Sequence, residues 1–317
     1  MTRYIRNQVL QLAIETTYGA LPAFVTADNM LMTDVKFRID PDVHPRNLIR
    51  GHMGGSEHLA GTRRTEIEFD LELAGSGLID TPPQWGKALR ASGMAQAISA
   101  GSRSEYTPTS TAFESASLRF FADGVRYTSR GARGNVMIKI PAYEPPKLSF
   151  KFMGFDTEAI VQAVPNTDFT AWKAPLVISD ANAGDIRLGG TYAAGVVSGG
   201  VVLPSRGVNF DLGQKLSHIK LLGGESIDIT DRDTSGDMMV ALTAADEISW
   251  RDAVNANTLA SVGFNFGLTA GNRVALFAPN AQRVNPQISD YEGRMMMQSN
   301  LRVLPLVSND ELRIVSR

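Results

Sequence analysis

With 317 residues, 43% of them apolar and 20% charged, the chain has an ordinary globular composition, which excludes wholesale disorder and a fibrous repeat. Its length suits about two domains. Its 31 basic and 33 acidic residues give a formal net charge of −2, which excludes an overall electrostatic grip on nucleic acid, and the lack of cysteine removes disulfides, thiolate metal sites and cysteine nucleophiles together.

Met1 to Leu12 holds Arg3, Arg6, Asn7 and Gln8 and no apolar run, so no signal peptide is expected. No stretch of about 18 apolar residues occurs, so no membrane helix is expected, and the chain reads as a soluble product of the cytoplasm. Asp34 to Asp40 reads as a strand. The clearest strand is Thr65 to Leu73, where Ile67, Phe69, Leu71 and Leu73 alternate with Glu66, Glu68, Asp70 and Glu72. Period 2 puts the apolar set on one sheet face and the carboxylates on the other. Thr81-Pro82-Pro83-Gln84 resembles a capping box, which predicts a helix from Pro82 to about Ala97, anchored by Trp85 and weakened by Gly93. Asp123-Gly124 between Leu118–Ala122 and Val125–Ser129 predicts a type I′ hairpin. Strands at Val136–Ile140 and Leu148–Phe155 follow, and Phe120-Phe121 puts one ring on each sheet face.

The second half repeats this order. Gly207–Leu212 reads as a strand, and Gly223-Gly224 matches Gly54-Gly55. Gly55 to Ala74 spans 19 positions and Gly224 to Ala244 spans 20. Thr243 is a candidate N-cap, and Trp250, Ala253 and Val254 reproduce the spacing of Trp85, Ala88 and Leu89. Ala260-Ser261-Val262 echoes Ala116-Ser117-Leu118, Gly271-Asn272 echoes Gly134-Asn135, and Met295–Leu304 forms the last long strand. The chain therefore reads as a tandem duplication of a strand-rich unit carrying one helix, with Trp85 and Trp250 as candidate helix anchors. Residues 1–164 form the first unit with an N-terminal arm and a long loop, 165–200 an inter-domain arm, and 201–317 the second unit.

Catalytic signatures are missing from the sequence. His44, His52, His58 and His218 fit no metal spacing, the glycine pairs lack the Lys-Ser/Thr ending of a phosphate loop, and no Gly-x-Ser-x-Gly elbow occurs. Neighbouring carboxylates along Glu66 to Glu72 would sit about 7 Å apart, near the spacing of an inverting glycosidase. Four in a row describe a charged surface instead of a tuned pair. No enzyme, catalytic residue, metal site or cofactor is expected.

Several segments, in order, carry a resemblance. They are Ile14-Glu15-Thr16-Thr17-Tyr18-Gly19, Phe69 to Gly77, Trp85 to Gly93, Phe113-Glu114-Ser115-Ala116-Ser117, Gly131-Ala132-Arg133-Gly134, Ile229-Thr230-Asp231-Arg232, Leu304-Pro305 and Asn309-Asp310-Glu311-Leu312. With them the chain resembles the tail tube (major tail) proteins of long-tailed bacteriophages, in a tandem-domain family. The resemblance implies a mainly β fold of two tandem β-sandwich or incomplete-barrel domains, each flanked by one α-helix. It further implies a structural virion protein, assembled in the host cytoplasm, whose copies join edge to edge into rings that stack into a hollow tube. Double-stranded DNA would be ejected through the channel without specific binding, and a tape measure protein and tail-end proteins would be partners.

Sixfold symmetry of domains in such tubes implies three chains per ring. On this reading Glu66, Glu68, Asp70 and Glu72 are candidate channel-lining residues, and Arg46, Arg50, Arg63 and Arg64 are candidate ring–ring contacts. Acids would line the channel and arginines the ring contacts. The rivals are a tube of a secretion or injection machine and, from a different class, a β-sandwich carbohydrate-binding or hydrolase domain.

Overall fold

The computed structural model describes residues 2–181 and 186–317. In the first half the strands are β1 (Gln8–Ile14), β2 (Asn29–Met30), β3 (Met32–His44), β4 (Leu59–Glu72), β5 (Met94–Ser99), β6 (Arg103–Pro108), β7 (Ala116–Ala122), β8 (Val125–Pro141) and β9 (Lys147–Val161). Helix α1 (Gly86–Ala91) lies between β4 and β5. The remaining strands begin with β10 (Ile186–Leu188), β11 (Thr191–Ala193), β12 (Val196–Ser198), β13 (Val201–Leu203), β14 (Ser205–Asp211), β15 (Gln214–Leu221), β16 (Gly224–Arg232) and β17 (Ser235–Val240). Helix α2 (Ala244–Asn255) comes next, before β18 (Leu259–Phe266), β19 (Val274–Tyr291), β20 (Arg294–Leu304) and β21 (Arg313–Ser316). The fold is mainly β, in antiparallel sheets without a closed barrel, consistent with a β-sandwich.

The pairing order repeats. In the first half, ladders run β3-β4-β9-β8-β7-β1, and in the second β14-β17-β20-β19-β18-β10. Even an irregularity repeats. A bulge separates Met32 from Asp34 on β3, beside Leu71, and another separates Ser205 from Gly207 on β14, beside Val240. Bulges fix register, so Val35 and Phe37 take the places of Val208 and Phe210.

The halves are joined through their sheets. One edge of β8 pairs with β9. On its other edge β7 covers residues 125–132 and β14 covers residues 137–141. Gly207 reaches its place there with φ of +127°, and a Cβ on it would lie 2.1 Å from the Ile140 carbonyl oxygen, so only glycine fits. A second seam pairs β21 with β6. The apolar faces then share one core, from Leu71, Ile138 and Phe150 to Phe210, Met238 and Leu301. The β15–β16 hairpin bends back over the first half, where Arg133 bonds Asp228 at 2.6 Å and the His218 ring sits 6.0 Å from that of Phe155.

Four local expectations need correction. The first helix covers Gly86–Ala91 only, because Gly93 adopts φ of +77° and the chain turns into β5 at Met94. Thr81 does not cap it: Trp85 holds the N-cap position, without a side-chain cap. Val125–Ser129 and Val136–Ile140 are one strand, β8, which β9 follows through an irregular register between Arg130 and Arg133. Gly134-Asn135 lies within β8, whereas Gly271-Asn272 lies in the loop before β19, so that echo has no structural counterpart.

Other expectations match. Asp123 and Gly124 take φ of 40° and 90° in the tight turn between β7 and β8. The Thr243 hydroxyl accepts from the Asp246 N–H at the start of α2. Phe120 and Phe121 are both buried, Phe120 stacking on Phe37. Residues 165–200 contain β10 and the β11–β12 hairpin, while residues 182–185 of that segment lie outside the described residues.

Candidate functional site

The alternation predicted from Thr65 to Leu73 is present in β4. Ile67, Phe69, Leu71 and Leu73 are buried, and the carboxylates project from the opposite face of the sheet. The neighbouring strands decide the character of that face. Lys36 of β3 and Lys151 of β9 both lie opposite Glu68, Arg38 lies opposite Glu66, and Lys147 lies opposite Glu72. Glu66 is the most enclosed of the four. It takes Arg38 at 2.6 Å, with Arg64 and Lys151 each at 3.7 Å. Glu68 reaches Lys151 at 3.3 Å. Cross-strand pairs of opposite charge stabilise a sheet by roughly 0.2–1 kcal/mol each. The row read as an acidic wall is therefore the centre of a stripe of both signs, and acids and bases are not segregated.

The face continues across the seam. A shallow cleft over β3, β4, β9, β8 and β14 is lined by Lys36, Glu68, Asp70, Lys139, Lys151 and Asp211. Beyond it, Asn209 donates to Asp237 at 3.0 Å, and Gln298 and Asn300 of β20 flank Met239 and Asp237 in register. The first half of the face carries paired charge, the second mostly neutral polar groups.

Trp85 and Trp250 are both buried, by different means. Trp85 precedes α1, donates its indole N–H to the Ala74 carbonyl at 2.7 Å and packs on the Tyr106 ring. Trp250 is inside α2, donates to Ser299 Oγ at 3.0 Å and lies under the Arg283 guanidinium. Arg46 and Arg50 both bond Glu57 in the loop between β3 and β4, at 2.7 and 2.8 Å. Arg63 approaches Asp156 at 3.5 Å, and Arg64 pairs with Asp40. These four line one hairpin, β3–β4, whose loop side chains Ile49 and Met53 are wholly exposed.

Sequence reasoning missed the residues that tie the N-terminal segment to the bulge of β8 and that knit the halves together. Buried Glu15 accepts four hydrogen bonds, from Ser115 Oγ and Ser117 Oγ at 2.6 Å, the Gly19 N–H at 2.7 Å and the Gly131 N–H at 2.8 Å. Tyr18 then accepts from the Ile227 N–H at 2.6 Å, and Arg133 stacks on Tyr18 while donating to the Ile227 carbonyl. A second knot centres on Arg232, which pairs with Glu311 and donates to the Thr109 carbonyl at 2.7 Å and to Asn309 at 3.1 Å. At a third, Gly75 and Gly77 donate to Asn272 and Gly271, and a Cβ on Gly75 would lie 2.1 Å from the Gly271 carbonyl oxygen. The signal was in the sequence as recurring short segments, but their convergence depends on strand pairing.

Among the described residues no group of three His, Asp or Glu is placed to hold a metal ion, and no helix is long and apolar enough to cross a membrane. The described residues present a wide, two-signed polar sheet face with interlocked seams. The model of the phage tail tube protein family matches residues 5–299, nearly the whole chain, and the chain belongs to that family. It is a structural protein of the virion tail that self-assembles into a tube. Comparison with curated proteins gives no match.

Proposed function

We propose that three copies of this chain close one ring of the tail tube, each supplying two tail-tube units, residues 1–164 and 201–317, linked by the arm at 165–200. The repeated strand order, with its shared bulge, is the observation that carries this reading. Two like units joined edge to edge need only repeat the same join to close a ring, and closure removes the open edges. Stacked rings would form the hollow tube through which double-stranded DNA is ejected, with a tape measure protein inside during assembly and tail-end proteins at its tips.

The channel wall in this reading is the face bearing Glu66, Glu68, Asp70 and Glu72. Sliding DNA requires that phosphates find no free cations, since each phosphate contact releases counterions and adds affinity. Lys151 is held by Glu66 and Glu68 and Arg38 by Glu66, which supports passage without binding at those two positions, whereas Lys36 and Lys139 on the same face have no ion-pair partner within 4 Å among the described residues. The β3–β4 hairpin with Arg46, Arg50, Arg63 and Arg64 is the proposed ring–ring contact. Electron microscopy of the purified protein with mass measurement of isolated rings tests the proposal. Hollow tubes of three-chain rings are expected; rings of six chains would refute the two-unit reading, and the absence of tubes would refute the function.

A further inference from the structure

The seam between β8 and β14 is an internal template for a join that the single chain leaves unmade. In it Phe210 lies opposite Ile138, Val208 opposite Ile140, Asn209 opposite Lys139 and Asp211 opposite Met137. The shared bulges put Phe37 in the place of Phe210 and Val35 in that of Val208. Tracing the ladders inward from those bulges equates Leu71 with Val240, Leu148 with Met297 and Ile138 with Ile288. Unlike β14, β3 pairs among the described residues on one edge, with β4. On the edge of β19 that β18 occupies, the pairing ends with Leu259 opposite Gln282, so residues 283–291 there have no strand partner among the described residues.

Burial shows the difference that a partner makes. Ile138 and Ile140 are 0% and 1% exposed beneath β14, whereas Ile288 is 58% exposed. Phe210 is 1% exposed beside β8, whereas Phe37 is only partly buried and Ile39 is 37% exposed. Each open edge therefore carries apolar side chains on its core-facing side, where the equivalent internal edge has them sealed.

We propose that β3 of one chain adds antiparallel to the end of β19 in a second copy of this chain, with Phe37 opposite Ile288, Lys36 opposite Ser289 and Arg38 opposite Gln287. Val35 then meets Asp290, whose carboxylate is already held by the Gly293 N–H at 3.0 Å. The ladder begins at Gln287 because Pro286 has no N–H to give and Asn285 turns the strand at φ of +49°. The join is head-to-tail, since each chain contributes two different edges, and such a join either closes a ring or runs on as a filament. The inference rests on the tube reading for closure, but the register comes from the internal seam alone.

The lack of cysteine makes the register directly testable. In a chain with Lys36→Cys and Ser289→Cys, the new thiols would face each other across chains with Cα atoms about 4.5–5.5 Å apart, within disulfide reach. Mild oxidation of assembled protein is expected to give covalent dimers and trimers at about tenfold the yield of a Lys36→Cys, Asp237→Cys control, whose thiols lie outside that reach. Hydrogen exchange on the unmodified chain provides a measurement that no substitution can spoil. The outward-facing amides, alternate residues within 35–38 and 287–290, should slow on assembly. Tubes that form while either segment still exchanges freely, or that cross-link no better than the control, overturn the register and leave the tube reading standing. Protein that forms no tubes overturns both.

Discussion

Replacing Glu15 by alanine removes one acceptor from four donors at once, and the structure allows the cost to be worked out. Two of the donors are the hydroxyls of Ser115 and Ser117, which can turn to other acceptors. The Gly19 N–H is half-buried and can take water, but the Gly131 N–H is buried at the bulge of β8 and has nowhere to turn. Stranding that N–H costs about 1–3 kcal/mol, and each charge-assisted bond lost adds to it, so Glu15→Ala should destabilise the fold by about 3–4 kcal/mol. At this chain length about 2 °C is lost per kcal/mol, so the melting temperature should fall by roughly 6–8 °C. Glu15→Gln keeps one acceptor oxygen and should lose about half as much. Thermal melts of the unassembled chain followed by circular dichroism measure both, and exchange of the Gly131 amide reports the site itself. An alanine variant that melts within about 1 °C of the parent, with Gly131 still protected, would show that the carboxylate does not tie the N-terminal segment to the bulge.

Trp85→Ala empties a fully buried site and should cost about 3–5 kcal/mol in urea unfolding, whereas Trp250→Ala should chiefly loosen α2, seen as faster exchange of its amides. Burial pushes the Glu105 carboxyl up, but the hydrogen bonds from Arg103 and Tyr192 and the Arg313 charge outweigh it and hold it below the usual carboxylate range. Its stabilising contribution is therefore complete above about pH 4.3 and is lost as pH falls through the lowered folded value; melting curves of Glu105→Gln should accordingly show a shallower loss on acidification. Glu68→Lys, Asp70→Lys and Glu72→Lys together, sparing enclosed Glu66, should permit tubes that retain double-stranded DNA at low salt and release it as salt rises. Failure to retain DNA would place this face away from the channel.

Strand identity was legible wherever one face is apolar, as from Thr65 to Leu73, and wherever a turn demands a special backbone, as at Asp123-Gly124. The cap at Thr243 was legible for the same local reason. The first helix was overextended because the Trp85, Ala88, Leu89 spacing continues smoothly to Met94, while Gly93 stops it through a backbone angle that spacing does not encode. The charge of the sheet face was misjudged although its ingredients were visible: Lys147 and Lys151 alternate with Leu148, Phe150 and Phe152 as regularly as the acids do on β4. Only the knowledge that β9 lies beside β4 turns two separate alternations into one paired surface. Glu15 was legible as part of a family segment, but three of its four donors come from 100 or more residues away and only Gly19 is near.

Because β14 is tethered to the strand it completes, that seam forms at an effective concentration fixed by the intervening chain and not by how much protein is present. Every folded copy has already hidden one pair of sheet edges before it meets another. The edges left open are poorly suited to casual pairing, with Lys36 and Arg38 on one and Pro286 and Asp290 on the other. On the proposed assembly, the joins between copies do depend on concentration, and they would set when polymerisation begins.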